Sequence, residues 1–241
     1  MGLAQSKEEN AVNRCSFSTI ARLVIALSAA TMPLASMGQE VSLKTLEGLR
    51  PHNVLAEVVT HKGRIGVHVV DSGEFQGNNE DRLVILDELQ IQDGVIEISL
   101  AGAPGSHAGE GARGFVGVAF RVAADMSSYE AFYLRPTNGR ADDQLRRNHS
   151  AQYISHPEYP WHRLREETPG MYESYVDLVP GEWMQVRIDV SGERARLYVH
   201  GAEQPSLVVN DLKSGKDQGA IALWIGPGTD AYFSNLKVTP Q

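Results

Sequence analysis

Between Asn138 and Arg163 the chain gathers side chains of types able to hydrogen-bond hydroxyls or stack on an apolar ring face: Arg140, Asp142, Asp143, Arg146, Arg147, His149, Gln152, Tyr153 and Trp161. Guanidinium and carboxylate groups bond hydroxyls, and an aromatic ring covers an apolar C–H face. Hydrolysis of a glycosidic bond needs two carboxyl groups flanking it. Glu97 is the expected first carboxylate, with Glu166, Asp142 or Asp143 as its partner. Arg135 would orient the sugar or stabilise charge developing on oxygen. An elimination would instead use His149 and Tyr153 as base and acid, with Arg135 neutralising a uronate carboxylate. Arg121, Tyr133, Arg146, Gln152 and Trp161 are the expected substrate contacts.

Other chemistries find no motif. His149, His156 and His162 are six or seven residues apart, a spacing that matches neither HExxH nor a zinc site with close ligand pairs. No GxSxG elbow, Walker A loop or GxGxxG fingerprint occurs. No metal ligand set is therefore expected.

Short alternating strands must position these residues. Val54–Val59 and Ile65–Val70 flank the turn His61-Lys62-Gly63-Arg64, and Arg82–Leu86, Val95–Ala101, Phe115–Val122 and Tyr129–Arg135 follow. Trp183–Val190, Ala195–His200 and Leu207–Asn210 precede a terminal pair that reads as two strands paired across Gly226-Pro227-Gly228. About a dozen strands with little helix predict an all-β, antiparallel sandwich in one domain. Pro136–Val179 interrupts this rhythm as a long irregular insertion, with one helical turn at Leu164–Glu167; insertions of this length are usually functional.

Successive strand residues face opposite ways. Ile96, Ile98 and Leu100, then Val116, Val118 and Phe120, then Phe132 and Leu134 supply a core face. Their alternates, among them Glu97, Gly117, Ala119, Arg121, Tyr133 and Arg135, would floor a groove, with Gly117 and Ala119 leaving room for a sugar ring. An ordinary half-solvated sheet carries the same alternation.

Gly219–Pro240, GAIALWIGPGTDAYFSNLKVTP, resembles the closing strands of concanavalin A-like β-sandwiches (jelly rolls), the fold of legume lectins and laminin G domains. Tyr129–Arg140, YEAFYLRPTNGR, resembles secreted bacterial sandwiches of the laminin G-like and 3-keto-disaccharide hydrolase type. The resemblance covers roughly residues 50–240. It implies a groove lined by Arg135 and Asn138, walled by the insertion, and an oligosaccharide or glycoside ligand. Serine at 234, where relatives often carry aspartate, argues against a structural calcium ion, and no other cofactor is implied. This sandwich hosts binders and enzymes alike; a glycoside hydrolase is the first expectation, with a non-catalytic carbohydrate- or protein-binding module and a polysaccharide lyase as alternatives. An envelope subunit that packs through its insertion is a further alternative.

Residues 1–38 read as a secretory signal. Arg14 and Arg22 precede the apolar run Leu23–Leu34, and Ser36-Met37-Gly38 offers a small-residue exit. Residues 39–241 would form the mature domain, periplasmic or secreted and free of cysteine, because Cys15 lies in the leader. Removing Lys7, Arg14, Arg22, Glu8 and Glu9 from 22 basic and 30 acidic residues leaves a net charge near −9. That charge disfavours nucleic acid and anionic lipid, and no further segment is long enough for membrane insertion.

Overall fold

The computed structural model describes residues 38–72 and 81–241, so the leader reading, apart from Gly38, lies outside the described residues. In chain order the first strands are β1 (Gln39–Val41), β2 (Arg50–His52), β3 (Val54–His61), β4 (Arg64–Asp71) and β5 (Leu83–Ile91). β6 (Gly94–Pro104), β7 (Val116–Val122) and β8 (Tyr129–Leu134) lead into the insertion. It holds α1 (Gln144–Asn148), β9 (Ala151–His156), α2 (Trp161–Glu167) and β10 (Glu173–Ser174). β11 (Met184–Ser191), β12 (Arg194–Val199), β13 (Leu207–Val209), β14 (Gly219–Ile225) and β15 (Thr229–Pro240) complete the chain.

These strands form two antiparallel sheets. One runs β13-β12-β11-β6-β15-β4-β3, with β1 on β15; the other runs β10-β9-β8-β7-β14-β5-β2. The predicted core rows meet between them. Ile96, Ile98 and Leu100 from one sheet and Val118, Phe120, Phe132, Leu134 and Leu223 from the other are all buried in a shared cluster. Removing these apolar faces from water is the main force joining the sheets. The β3–β4 hairpin closes as expected. Lys62 and Gly63 both adopt positive φ, 45° and 79°, the two-residue turn whose twist matches its strands.

Three expectations need correction. First, β14 and β15 are not partners: β14 pairs with β5 and β7, whereas β15 pairs with β4, β6 and β1. Gly226-Pro227-Gly228 therefore carries the chain from one sheet to the other. Gly228 sits at φ 64°, and its carbonyl accepts from Gly105 N at 2.9 Å. Alternation marks a strand without naming its neighbours.

Second, the insertion is not wholly irregular, because β9 and β10 extend the seven-stranded sheet beyond β8. β9 escapes periodicity because polar Gln152 and Ser155 are buried along with Tyr153.

Third, Arg121 does not line a groove. It takes φ 53°, next to a register shift between β14 and β7, and its guanidinium is buried at the end of the sheet. There it donates to the carbonyls of Gln92 (2.9 Å), Gly215 (2.6 Å) and Gly192 (2.8 Å), and to Asp93 Oδ1 at 3.1 Å. It ties three turns together. Truncating it strands several buried acceptors, so Arg121→Ala should destabilise the fold by roughly 3–5 kcal/mol. Lysine should restore only a minority of that loss, since one ammonium cannot reach all four acceptors. Urea unfolding checks this, and a loss below about 1 kcal/mol would refute the clamp.

Candidate functional site

Strand register sets the site. Reading straight across the seven-stranded sheet, Leu83 pairs with Trp224, Trp224 with Gly117, Gly117 with Tyr133, Tyr133 with Gln152, and Gln152 with Glu173. Paired residues share a face, so one transverse row carries an aromatic half and a polar half. Gly117 sits between two rings, and over it Trp224 and Tyr133 stack at 4.6 Å. A Cβ there would lie 2.2 Å from Phe132 O and 2.6 Å from Tyr133 Cβ. The space expected for a sugar at Gly117 is thus taken by the protein's own rings. Trp224 is further fixed by its Nε1, which donates to Tyr129 Oη at 3.3 Å; that hydroxyl donates to Asp81 Oδ1 at 2.6 Å.

Two residues beyond Tyr133, Arg135 projects from the same face. Its guanidinium lies 4.9 Å from the Tyr133 ring centre, 6.0 Å from Phe115 and 5.9 Å from Trp161, a three-sided cation–π enclosure. It donates to Tyr133 Oη (2.8 Å), Gln152 Oε1 (3.2 Å) and His149 O (2.9 Å). Glu173 closes the polar end. It is 7% exposed, accepts from Arg165 Nε at 2.8 Å and Nη2 at 2.5 Å, and lies 2.6 Å from His149 Nδ1 and 3.8 Å from Arg135 Nη1.

The insertion builds the wall. Asp143 caps α1 by accepting from Arg146 N at 2.8 Å. Asn138 donates to His149 O at 3.2 Å and accepts from Arg146 Nε at 2.9 Å, so it orients both neighbours. On α2, Trp161 and Arg165 stand four residues apart on one face, with the guanidinium 4.8 Å from the indole.

Two connected cavities result. A cleft of about 600 Å³ is bounded by Phe115, Tyr133, Ile154, Trp161 and Trp224 under the Gly109–Ala112 loop. A recess of about 400 Å³ adjoins it, sharing Phe115 and Trp161, and is lined by Arg113, Arg135, Asn138, Arg146, His149 and Arg165. Both volumes fall within the range of small-ligand sites. Burial holds the Tyr133 hydroxyl above its ordinary pKa, keeping it protonated and able to donate. Burial also depresses His149, opposed by Glu173 and reinforced by Arg165 and Arg135.

Of the residues predicted from sequence, Tyr133, Arg135, Asn138, Arg146, His149, Gln152 and Trp161 come together here. Gln152 is buried behind Arg135, so it positions that side chain rather than meeting solvent. Glu97 is elsewhere. It lies on β6 of the other sheet, its carboxylate 3.8 Å from Lys237 Nζ, because alternation reveals a face but not which sheet owns it. Glu166 is exposed on α2 outside both cavities, so no Glu97–Glu166 pair forms. Asp142 is exposed and also off the lining.

Tyr153 points into the sandwich core, where its hydroxyl donates to Glu130 and accepts from Lys213 N at 2.9 Å. With its hydroxyl held there while His149 lines the recess, Tyr153 forms no base–acid pair with His149, and burial raises both Tyr153 and Glu130. Sequence reasoning missed Trp224, Arg113 and Glu173, and put Phe115 on the outer face without assigning it to the site. Trp224 was detectable as the lone aromatic on an outward position of its run, whereas Glu173 lies where no alternation exists. Among the described residues, no group of three or more His, Cys, Asp or Glu side chains could hold a metal ion. Ser234 Oγ donates to Ile65 O at 2.7 Å.

No family model and no curated protein matches the chain. Among solved structures, the carbohydrate binding module CBM66 from Bacillus subtilis aligns with TM-score 0.56 at 12% identity, over 80% of this chain and 95% of that one. A Bacillus subtilis protein of unknown function with a galectin-like fold gives 0.52 at 11%, over 84% and 98%. The Crh5 transglycosylase in complex with NAG gives 0.50 at 12%, over 86% and 85%. The fold is a concanavalin A-like sandwich. At these identities the likeness speaks for the fold alone, and the concanavalin A-like core here carries a recess built from its own insertion.

The depressed His149 gives a pH signature. The folded chain binds this proton less readily than the unfolded chain, so stability present above the ordinary value of 6.5 is lost as pH falls through the lower folded value. His149→Asn should flatten that loss, read as urea midpoints at about pH 7.5 and about pH 5. An unchanged difference between the two midpoints would place the acid sensitivity in other groups.

Proposed function

We propose that the outer face of the seven-stranded sheet binds a saccharide in the aromatic cleft and its adjoining polar recess. One observation carries this reading: Trp224, Tyr133, Phe115 and Trp161 bound a cleft that leads directly onto Arg135 and its hydrogen-bonding neighbours. A sugar offers an apolar ring face to such an indole and a rim of hydroxyls to such donors and acceptors. The likeness of the fold to a carbohydrate binding module and to a transglycosylase bound to NAG supports the same ligand class. If residues 1–38 act as the leader read from sequence, the cleft is delivered to the periplasm or beyond, where free glycans occur.

The proposal stops at binding. Hydrolysis asks for two carboxyl groups facing one bond. Among the described residues the one carboxylate on the lining, Asp143, accepts from the Arg146 N–H, and Glu173 behind it is held by Arg165. Glu97 is on the opposite sheet.

Trp161 is 44% exposed, whereas Trp224 is half-buried in the stack. Trp161→Ala and Trp224→Ala should each weaken binding roughly tenfold or more on a panel of neutral and acidic oligosaccharides followed by calorimetry. Binding that both variants leave intact would remove the cleft from consideration. Cleavage of a bound oligosaccharide by the unaltered protein would replace the binding reading with an enzymatic one.

A further inference from the structure

The recess holds more positive charge than its own carboxylates neutralise. Arg113 Nη1 donates only to the carbonyls of Glu110 (2.6 Å) and Ala112 (2.9 Å). Arg146 reaches Asn138 Oδ1 at 2.9 Å and Thr137 Oγ1 at 3.1 Å, again neutral groups. Neither has a carboxylate partner among the described residues. The carboxylate nearest Arg135, Glu173, is 3.8 Å away and already grips Arg165 with both oxygens. Asp143 Oδ1 accepts from the Arg146 backbone, and among the described residues no guanidinium pairs with this carboxylate.

Elsewhere several arginines of this acidic chain do have a carboxylate partner, as in Arg50–Asp87, Arg140–Asp177 and Arg163–Glu167. Three guanidiniums around one cavity repel each other. Arg113 is held below its ordinary pKa, first by burial and then by Arg146 and Arg135. Such repulsion is relieved by a bound anion, and a guanidinium fork matches a carboxylate or sulfate.

We propose that the recess is an anion subsite, where Arg113, Arg146 and Arg135 take the carboxylate or sulfate of an acidic sugar. The proposal rests on the saccharide reading of the cleft and names its substrate class. Phe115 and Trp161 line both cavities, so a ring stacked in the cleft presents its charged substituent to the three arginines. The protein's negative total gives this local inversion a role in selection as well as affinity. A polyanion is repelled by most of the surface and accepted only where the arginines stand.

The experiment compares trigalacturonate, the same trisaccharide as its methyl ester, and a sulfated disaccharide, against the unaltered protein and the double variant R113M/R146M. Calorimetry and tryptophan fluorescence provide the readouts. The acid form should bind about ten- to a hundredfold more tightly than the ester, and that ratio should collapse towards one in R113M/R146M. Whether the sulfated probe follows the acid or the ester separates a general anion site from a carboxylate site.

A ratio near one in the unaltered protein, or a ratio that R113M/R146M does not change, overturns the anion subsite and leaves the saccharide reading standing. If no form of these saccharides binds, the saccharide reading fails for them, and free glucuronate and inorganic sulfate then test the recess by themselves. A saturable fluorescence change with either anion that R113M/R146M abolishes sustains the subsite. No change, or the same change in both proteins, overturns it.

Discussion

A buried guanidinium is the constraint on which the site depends. Arg135 is 5% exposed, and its charge cannot be left without partners at that depth. Three rings enclose it, Tyr133 and Gln152 accept from it, and the carbonyl of His149 completes its coordination. Each partner comes from a different element, so satisfying one side chain fixes β8, β9, the α1–β9 junction and α2 together. The wall of the recess is consequently positioned by chemistry rather than by backbone pairing alone.

Glu173 plays the opposite part. A single carboxylate at the sheet edge faces Arg165, Arg135 and His149, and it cannot neutralise all of them. Asp143, on the recess lining, accepts from the Arg146 backbone and not from a guanidinium, so the cluster is not a closed ion-pair network. The deficit is what makes the recess receptive, and it arises because Arg113 and Arg146 lean on neutral oxygens.

How far the sequence discloses this can be judged residue by residue. Alternation is a local property, and it sorted Phe132 from Tyr133 and Val118 from Gly117 correctly. Partnership is not local. Nothing in the spacing of Glu97 says that its strand belongs to the other sheet, and nothing around Gly226 says that the chain leaves one layer there for the other. Arg121 was misplaced because a backbone irregularity turns it away from the face that simple alternation assigns. Tyr153 was assigned to the site and lies in the core for a related reason: it and Gln152 are both buried on β9, so hydrophobicity could not distinguish inside from outside. The composition of the insertion, by contrast, points to Asn138, Arg146, His149 and Trp161, since so many donors and rings in one loop must converge on something.

The corner at Gly226–Gly228 bears on assembly. β14 lies between β5 and β7 at the middle of one layer, and β15 lies between β6 and β4 at the middle of the other. Until residues 219–240 leave the ribosome, each layer exists as two halves with a gap between unpaired edges. Contacts of such long sequence separation form slowly, and the waiting edges are open to wrong partners. A nascent chain should therefore need chaperone protection at these edges until residues 219–240 have emerged.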